Sequence, residues 1–105
     1  MTKNRQTEED LERKAKLFSL AGDPTRLRVL EFMFREGSAC VGEIAEALGC
    51  SVACVSHHLQ ILRDNGFLES EKTGTSVCYT LLRESEFTKM LEKLVCSVKV
   101  GNQKT

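Results

Sequence analysis

A single, mainly α-helical domain with one small β-hairpin is what this sequence predicts, and three observations carry that expectation. Residues 41–66, VGEIAEALGCSVACVSHHLQILRDNG, read as two short helices joined at a glycine turn. Directly behind them, two strand-like runs, 67–72 and 76–81, flank Thr73-Gly74-Thr75, which reads as a hairpin tip. Finally, Phe87, Met90, Leu91, Leu94, Val95 and Val98 repeat at the spacing of one helical stripe, within a helix over about 85–100. Two short helices backed by a hairpin are the layout of a winged helix-turn-helix, in which the second helix enters the DNA major groove.

The remaining elements follow from their start and stop signals. Residues 1–6 read as a flexible tail, and Thr7 begins a helix with Glu8, Glu9 and Asp10 in its first turn, where the helix dipole favours anions. Leu11, Ala15, Phe18 and Ala21 form its apolar stripe, and Gly22 ends it. Asp23-Pro24-Thr25-Arg26 restarts a helix, with Asp as N-cap and Pro as first helical residue. That helix carries Leu27, Val29, Leu30, Phe32, Met33 and Phe34 on nearly every side, which marks it as central, and Gly37 closes it. A short helix over about 42–48 turns Ile44, Ala45 and Leu48 inward. Gly49 supplies the bend, and Ser51 caps the next helix, about 52–65, which Gly66 ends. The domain is expected to span 7–101, with a tail over 102–105 and no repeats or linkers.

Composition narrows the function classes. A chain of 105 residues makes one domain with a modest core, to which dimerisation adds burial. It has no apolar run of transmembrane length and no signal core behind its polar N-terminus, so a cytoplasmic location is expected. The net charge of zero requires that any nucleic-acid contact use a local basic patch. Five cysteines, an odd number without C-x-x-C spacing or a secretory signal, are expected as thiols rather than as a disulfide framework.

In the second helix of the pair, Val55, Leu59 and Leu62 fall on one side at 100 degrees per residue, the buried side. Ala53, Ser56, His57, Gln60 and Asp64 fall on the other. Ala53, Ser56, His57 and Gln60 are compact or hydrogen-bonding residues near the helix start, the end that reaches base edges. Ser51 at the cap offers a phosphate contact, and Arg63, with Lys72, Thr73 and Gly74 of the wing, completes the candidate DNA-binding set.

At these residues the sequence resembles the ArsR/SmtB family of winged-helix transcriptional repressors. The matching strings are Leu20-Ala21-Gly22-Asp23-Pro24-Thr25-Arg26-Leu27-Arg28-Val29-Leu30, then Cys40-Val41-Gly42-Glu43-Ile44, then Val55 to Leu68 with its Ser56-His57-His58-Leu59 core. The resemblance covers roughly residues 10–100. It implies four helices, two strands and a fifth helix in a homodimer, with the first and last helices at the interface. Leu11, Phe18, Phe87, Met90, Leu91, Leu94, Val95 and Val98 would form that interface. A two-fold dimer should bind an inverted-repeat operator, with an inducer releasing the DNA.

The family senses metals or metalloids, or reactive sulfur and oxidants, and some members sense nothing known. Cys40 lies where the family's metal motif begins, but its second cysteine position is Gly42 here, residues 1–18 contain no Cys or His, and Cys96 is the only soft ligand of the last helix. A different set comes from the residues themselves: Cys50, Cys54 and His58, spaced i, i+4, i+8, lie along one flank if the helix extends back to Cys50. They are candidates for a soft ion or, with a third sulfur, As(III). Oxidation is the competing reading. Cys54 sits in the first turn of a helix, and Cys50 or Cys78 is a candidate disulfide partner. Either a thiolate-bound metal or metalloid, or no cofactor and a reversible disulfide, is consistent with these residues, as is no sensing at all.

A dimeric, ligand-responsive repressor is therefore the expected function. A winged-helix protein-interaction module without DNA binding is the alternative, favoured by zero net charge and the absence of Arg or Lys from the centre of the reading face. No Cys-His-Asx arrangement supports a thiol enzyme.

Overall fold

The computed structural model describes residues 4–98, with side chains from residue 7 onward. Five helices and three strands follow one another as α1 (Asn4–Ala21), α2 (Pro24–Glu36), β1 (Ser38–Cys40), α3 (Val41–Leu48), α4 (Val52–Asp64), β2 (Leu68–Thr73), β3 (Ser76–Leu81) and α5 (Glu86–Ser97). The winged helix-turn-helix layout is thus present. The expected tail over 1–6 is corrected in part, because α1 already begins at Asn4. Residues 1–3, the domain end at 99–101 and the tail at 102–105 lie outside the described residues.

The helix boundaries follow their caps. Asp23 Oδ1 accepts the N–H of Arg26 at 2.9 Å, and Pro24 follows as first helical residue. Ser51 Oγ accepts the N–H of Cys54 at 3.1 Å, and Ser85 caps α5 through the N–H of Thr88. Gly49 ends α3 at φ 69°, a left-handed conformation that a side chain would strain, and so makes the sharp turn between α3 and α4.

Around α2 the core is continuous. Val29, Leu30 and Met33 of α2 are fully buried with Ile44 of α3, Val55, Leu59 and Leu62 of α4, Phe67, and Leu91 of α5. From α1 the buried residues are Leu17 and Leu20, whereas Leu11 and Phe18 of the expected stripe stay exposed. Among the described residues, the buried positions of α1 lie in its last turns.

The sheet holds a third strand, β1, too short to show a period in the sequence. Ser38–Cys40 pairs antiparallel with β3, making a three-stranded sheet of order β1-β3-β2 rather than a free hairpin. Its register sets Ala39 opposite Tyr79 and Cys40 opposite Cys78. The wing proper keeps Lys72 opposite Val77 and Thr73 opposite Ser76, so its tip is Gly74-Thr75. β1 ties the wing directly to the chain entering α3.

Candidate nucleic-acid interface and cysteine sites

α4 presents two chemically distinct faces. Burial of Val55, Leu59 and Leu62 fixes its rotation, so Ser51, Ala53, His57 and Gln60 are exposed and Ser56 is half-buried beside them. Gln60 Nε2 donates to Ser56 Oγ at 3.1 Å, which holds both amide and hydroxyl on the outer side, one helical turn apart. Groups of this kind pair with base edges. At the far end, Arg63 Nε lies 3.2 Å from Asp64 Oδ1 and its Nη1 lies 3.4 Å from Ser70 Oγ, so this guanidinium spans from α4 to β2.

The wing stands beside this face. Lys72, Thr73 and Gly74 are exposed at its end. A groove of about 340 Å³ runs between the two, lined by Val41 and Gly42 of α3, Val52 and Ser56 of α4, and Thr75, Ser76 and Val77 of the wing.

His58 does not join the reading face. It is buried against α2, with Nδ1 3.4 Å from Arg26 Nη1 and Nε2 3.9 Å from Asp23 Oδ1. Burial pushes its pKa below the usual histidine value, Asp23 opposes that shift, and the neighbouring Arg26 and His57 reinforce it. The Asp23 carboxyl is held below its ordinary value, chiefly by the backbone N–H of Arg26. Arg26 also donates to the carbonyls of Leu20 and Ser19, at 2.8 and 3.2 Å. One side chain thereby joins the end of α1, the start of α2 and the middle of α4. Arg28 acts likewise on the turn, donating to the Leu48 carbonyl at 2.8 Å and approaching Cys50 Sγ at 3.9 Å. Neither arginine stands out in the sequence as a site residue. The only signal is their place in the Asp23–Arg28 string, two residues apart on a helix start.

The expected cysteine constellation is not assembled. Cys50 precedes the cap Ser51 and lies outside α4, its thiol pointing to the Leu48 carbonyl at 3.7 Å. Cys54 is half-buried in the first turn of α4, and His58 is engaged by α2. The helix does not extend back to Cys50 because Ser51 adopts an extended cap conformation. Among the described residues, no three His, Cys, Asp or Glu side chains come together to hold a metal ion. Cys40, at the family's metal motif, is bonded to Cys78, so its sulfur is not available as a thiolate ligand in this state. Within a single protomer the described residues thus bring no such ligand set together. The disulfide also corrects the expectation of five thiols: the partner of Cys78 is Cys40, brought opposite it by the β1–β3 register. Cys50, Cys54 and Cys96 are free.

The stripe on α5 divides. Leu91 and Val95 are buried in the core of their own protomer, and Phe87 stacks on Phe67 at 5.0 Å between ring centroids. They are occupied within the chain and do not contribute an exposed face. Met90 and Val98 are exposed and Leu94 is half-buried.

The comparisons with known proteins agree with this geometry. The family described as "Bacterial regulatory protein, arsR family" matches residues 23–70. The Uncharacterized HTH-type transcriptional regulator MJ1325 of Methanocaldococcus jannaschii is 36% identical over 88 residues, which is 82% of this chain and 99% of that protein. The Cadmium resistance transcriptional regulatory protein CadC homolog of Staphylococcus aureus is 35% identical over 77 residues, 73% of this chain but 62% of its own length. The crystal structure of the AntR antimony-specific transcriptional repressor superimposes with a TM-score of 0.73 at 30% identity, covering 90% of this chain and 84% of that one. The chain therefore belongs to the arsR family, and is a winged helix-turn-helix, DNA-binding regulator of transcription rather than an enzyme.

Proposed function

We propose that this regulator is a homodimeric repressor that reads an inverted-repeat operator and leaves it on a thiol-directed signal. The observation that carries the reading is the outer face of α4. Ser51, Ala53, Ser56, His57 and Gln60 lie along it beside the exposed wing residues Lys72, Thr73 and Gly74. A recognition helix supplies base contacts, and Arg63 with the wing supplies phosphate contacts.

The dimer reading is supported by apolar surface on the two terminal helices. Leu11, Phe18, Met90 and Val98 are 57%, 60%, 41% and 61% exposed. A cleft of about 230 Å³ between these helices is lined by Phe18, Ala21, Leu27, Leu94 and Val98. Large apolar side chains grouped in this way mark an association surface. A two-fold pairing through it sets two recognition helices against two half-sites.

The cadmium and antimony in the names of relatives point to soft, thiol-seeking agents as the signal class. In this chain the cysteines that face each other are Cys40 and Cys78, which favours an oxidant or reactive-sulfur signal over a bound ion. The test is fluorescence anisotropy of the fully reduced protein on labelled DNA from directly upstream of its own gene. As(III), Cd(II), an organic persulfide and a hydroperoxide are then added in turn. Saturable, sequence-dependent binding followed by release with one agent supports the repressor reading and names the signal. Tight binding that no agent reverses removes the thiol signal. No sequence-dependent binding favours a protein-interaction module.

A further inference from the structure

We infer that Val52 is a specificity-determining residue that reads the 5-methyl group of a thymine in each half-site of the operator. The inference rests on the reading of α4 as the recognition helix and names the base that its first turn selects.

Val52 is the first residue of α4, directly after the cap Ser51. It is 52% exposed, whereas Val55, Leu59 and Leu62 of the same helix are fully buried and Ile61 is packed on the core. Its side chain therefore adds little to the folding of the protomer. Helix formation does not call for it either, because a β-branched residue is a weak helix former.

What Val52 does line is the groove between α4 and the wing. Val41 and Val77, which also line it, are half-buried and packed on the core, and Gly42 adds no side chain to fill it. None of the lining residues is charged. A phosphate would find no cation there, and phosphate contacts need one. The groove suits a small apolar group at the edge of the duplex instead. In the major groove only thymine carries such a group, its C5 methyl.

The position on the helix agrees with this chemistry. The N-terminal residues of a recognition helix approach the base edges. Val52, Ser56 and Gln60 are spaced i, i+4, i+8 and so follow one another along one side of α4. Gln60 Nε2 donates to Ser56 Oγ at 3.1 Å. One column of side chains thus offers a methyl contact at the helix start, then a hydroxyl and an amide for neighbouring bases. Ala53, the other apolar residue at the helix start, does not line the groove.

The experiment begins with fluorescein-labelled duplexes tiling the DNA directly upstream of the gene, which locate the sequence that the reduced full chain binds. Each thymine in that sequence is then replaced in turn by deoxyuridine, which pairs with adenine as thymine does and lacks only the methyl group. At one thymine position per half-site, the replacement is expected to weaken wild-type binding about fourfold, the effect of losing one buried methyl group. Val52→Ala and Val52→Ser, with native far-ultraviolet dichroism, are expected to bind the thymine and deoxyuridine duplexes equally. If no thymine is sensitive to the replacement, the inference is overturned while the repressor reading stands. The same holds if either variant keeps the wild-type ratio between the two duplexes, because the methyl contact then belongs to another residue. Absence of sequence-dependent binding by the wild type overturns both. The wild-type scan does not depend on the folding of either variant.

Discussion

Arg26 and His58 meet across the junction of α2 and α4, with Nη1 3.4 Å from Nδ1. A guanidinium only donates, so Nδ1 must accept and the ring proton sits on Nε2, facing Asp23 Oδ1 at 3.9 Å. Protonating Nδ1 would set two donors against each other. The histidine that the sequence offered as a metal ligand is instead a neutral link holding the recognition helix to the start of α2.

This predicts a pH dependence with a definite sign. The folded pKa of His58 lies below the ordinary histidine value of 6.5, so between the two the unfolded chain binds more protons than the folded one. Its contribution is complete above pH 6.5 and declines as pH falls through the folded pKa. Thermal melts of wild type and His58→Asn from pH 8 down to about 5 should therefore converge on acidification. A difference independent of pH would show that His58 is not neutral in the fold. The Asp23 carboxyl, lowered from 3.8 chiefly by the Arg26 backbone N–H, contributes stability that is present above 3.8 and lost as pH falls through its folded value.

The reading face predicts an effect confined to specificity. Ser56→Ala combined with His57→Ala should abolish preference for the operator over a scrambled duplex, since a good side-chain pairing with a base edge supplies about 1–3 kcal/mol of discrimination. Dimer mass by sedimentation should be unchanged. Undiminished preference would place sequence reading elsewhere than on α4.

Lys72 is exposed at the wing and predicts a different signature. Lys72→Ala should weaken binding to all sequences alike and reduce the slope of log affinity against log salt by about one. A changed sequence preference with an unchanged slope would contradict a phosphate contact.

Phe18 and Val98 are the most exposed large apolar residues among those described, and they sit on α1 and just past α5. Phe18→Glu should shift the protein from dimer to monomer in sedimentation equilibrium while the far-ultraviolet dichroism stays native. Burying a side chain of this size contributes about 1.5–3 kcal/mol, which a charge would remove. An unshifted dimer would locate the interface on another surface.

The Cys40–Cys78 bond closes a loop of sequence separation 38, for which chain entropy suggests about 3–4 kcal/mol of stabilisation. Denaturant midpoints should therefore fall on reduction of the wild type, and Cys40→Ser should show no response to reductant. Equal midpoints for both wild-type redox states would mean that the β1–β3 ladder alone holds this region.

Strong periodicity was legible in the sequence, and weak or shared patterns were not. Val55, Leu59 and Leu62 occupy one side of α4 by their spacing, and all three are fully buried. β1 has only three residues, Ser38-Ala39-Cys40, too few for a period, and it is a strand solely because β3 pairs with it. The α5 stripe looked like one face because its six apolar residues span a broad arc. In the fold Leu91 and Val95 turn into the core, while Met90 and Val98 remain outside. On α1, Leu11 and Phe18 also share a helical stripe by spacing, but Leu17 and Leu20 do the packing within the protomer.

The sequence by itself determined the helix-turn-helix, its caps at Asp23 and Ser51, the turn at Gly49 and the outward face of α4, because each depends on residues within a few positions of one another. Only the tertiary structure decided which cysteines meet and what His58 touches. Cys40 and Cys78 are 38 residues apart and become neighbours through strand register, and His58 lies 32 residues from Arg26 until α4 docks on α2. Local spacing governs backbone conformation, whereas the partners of a sulfur or an imidazole are set by long-range packing that no single stretch of chain encodes.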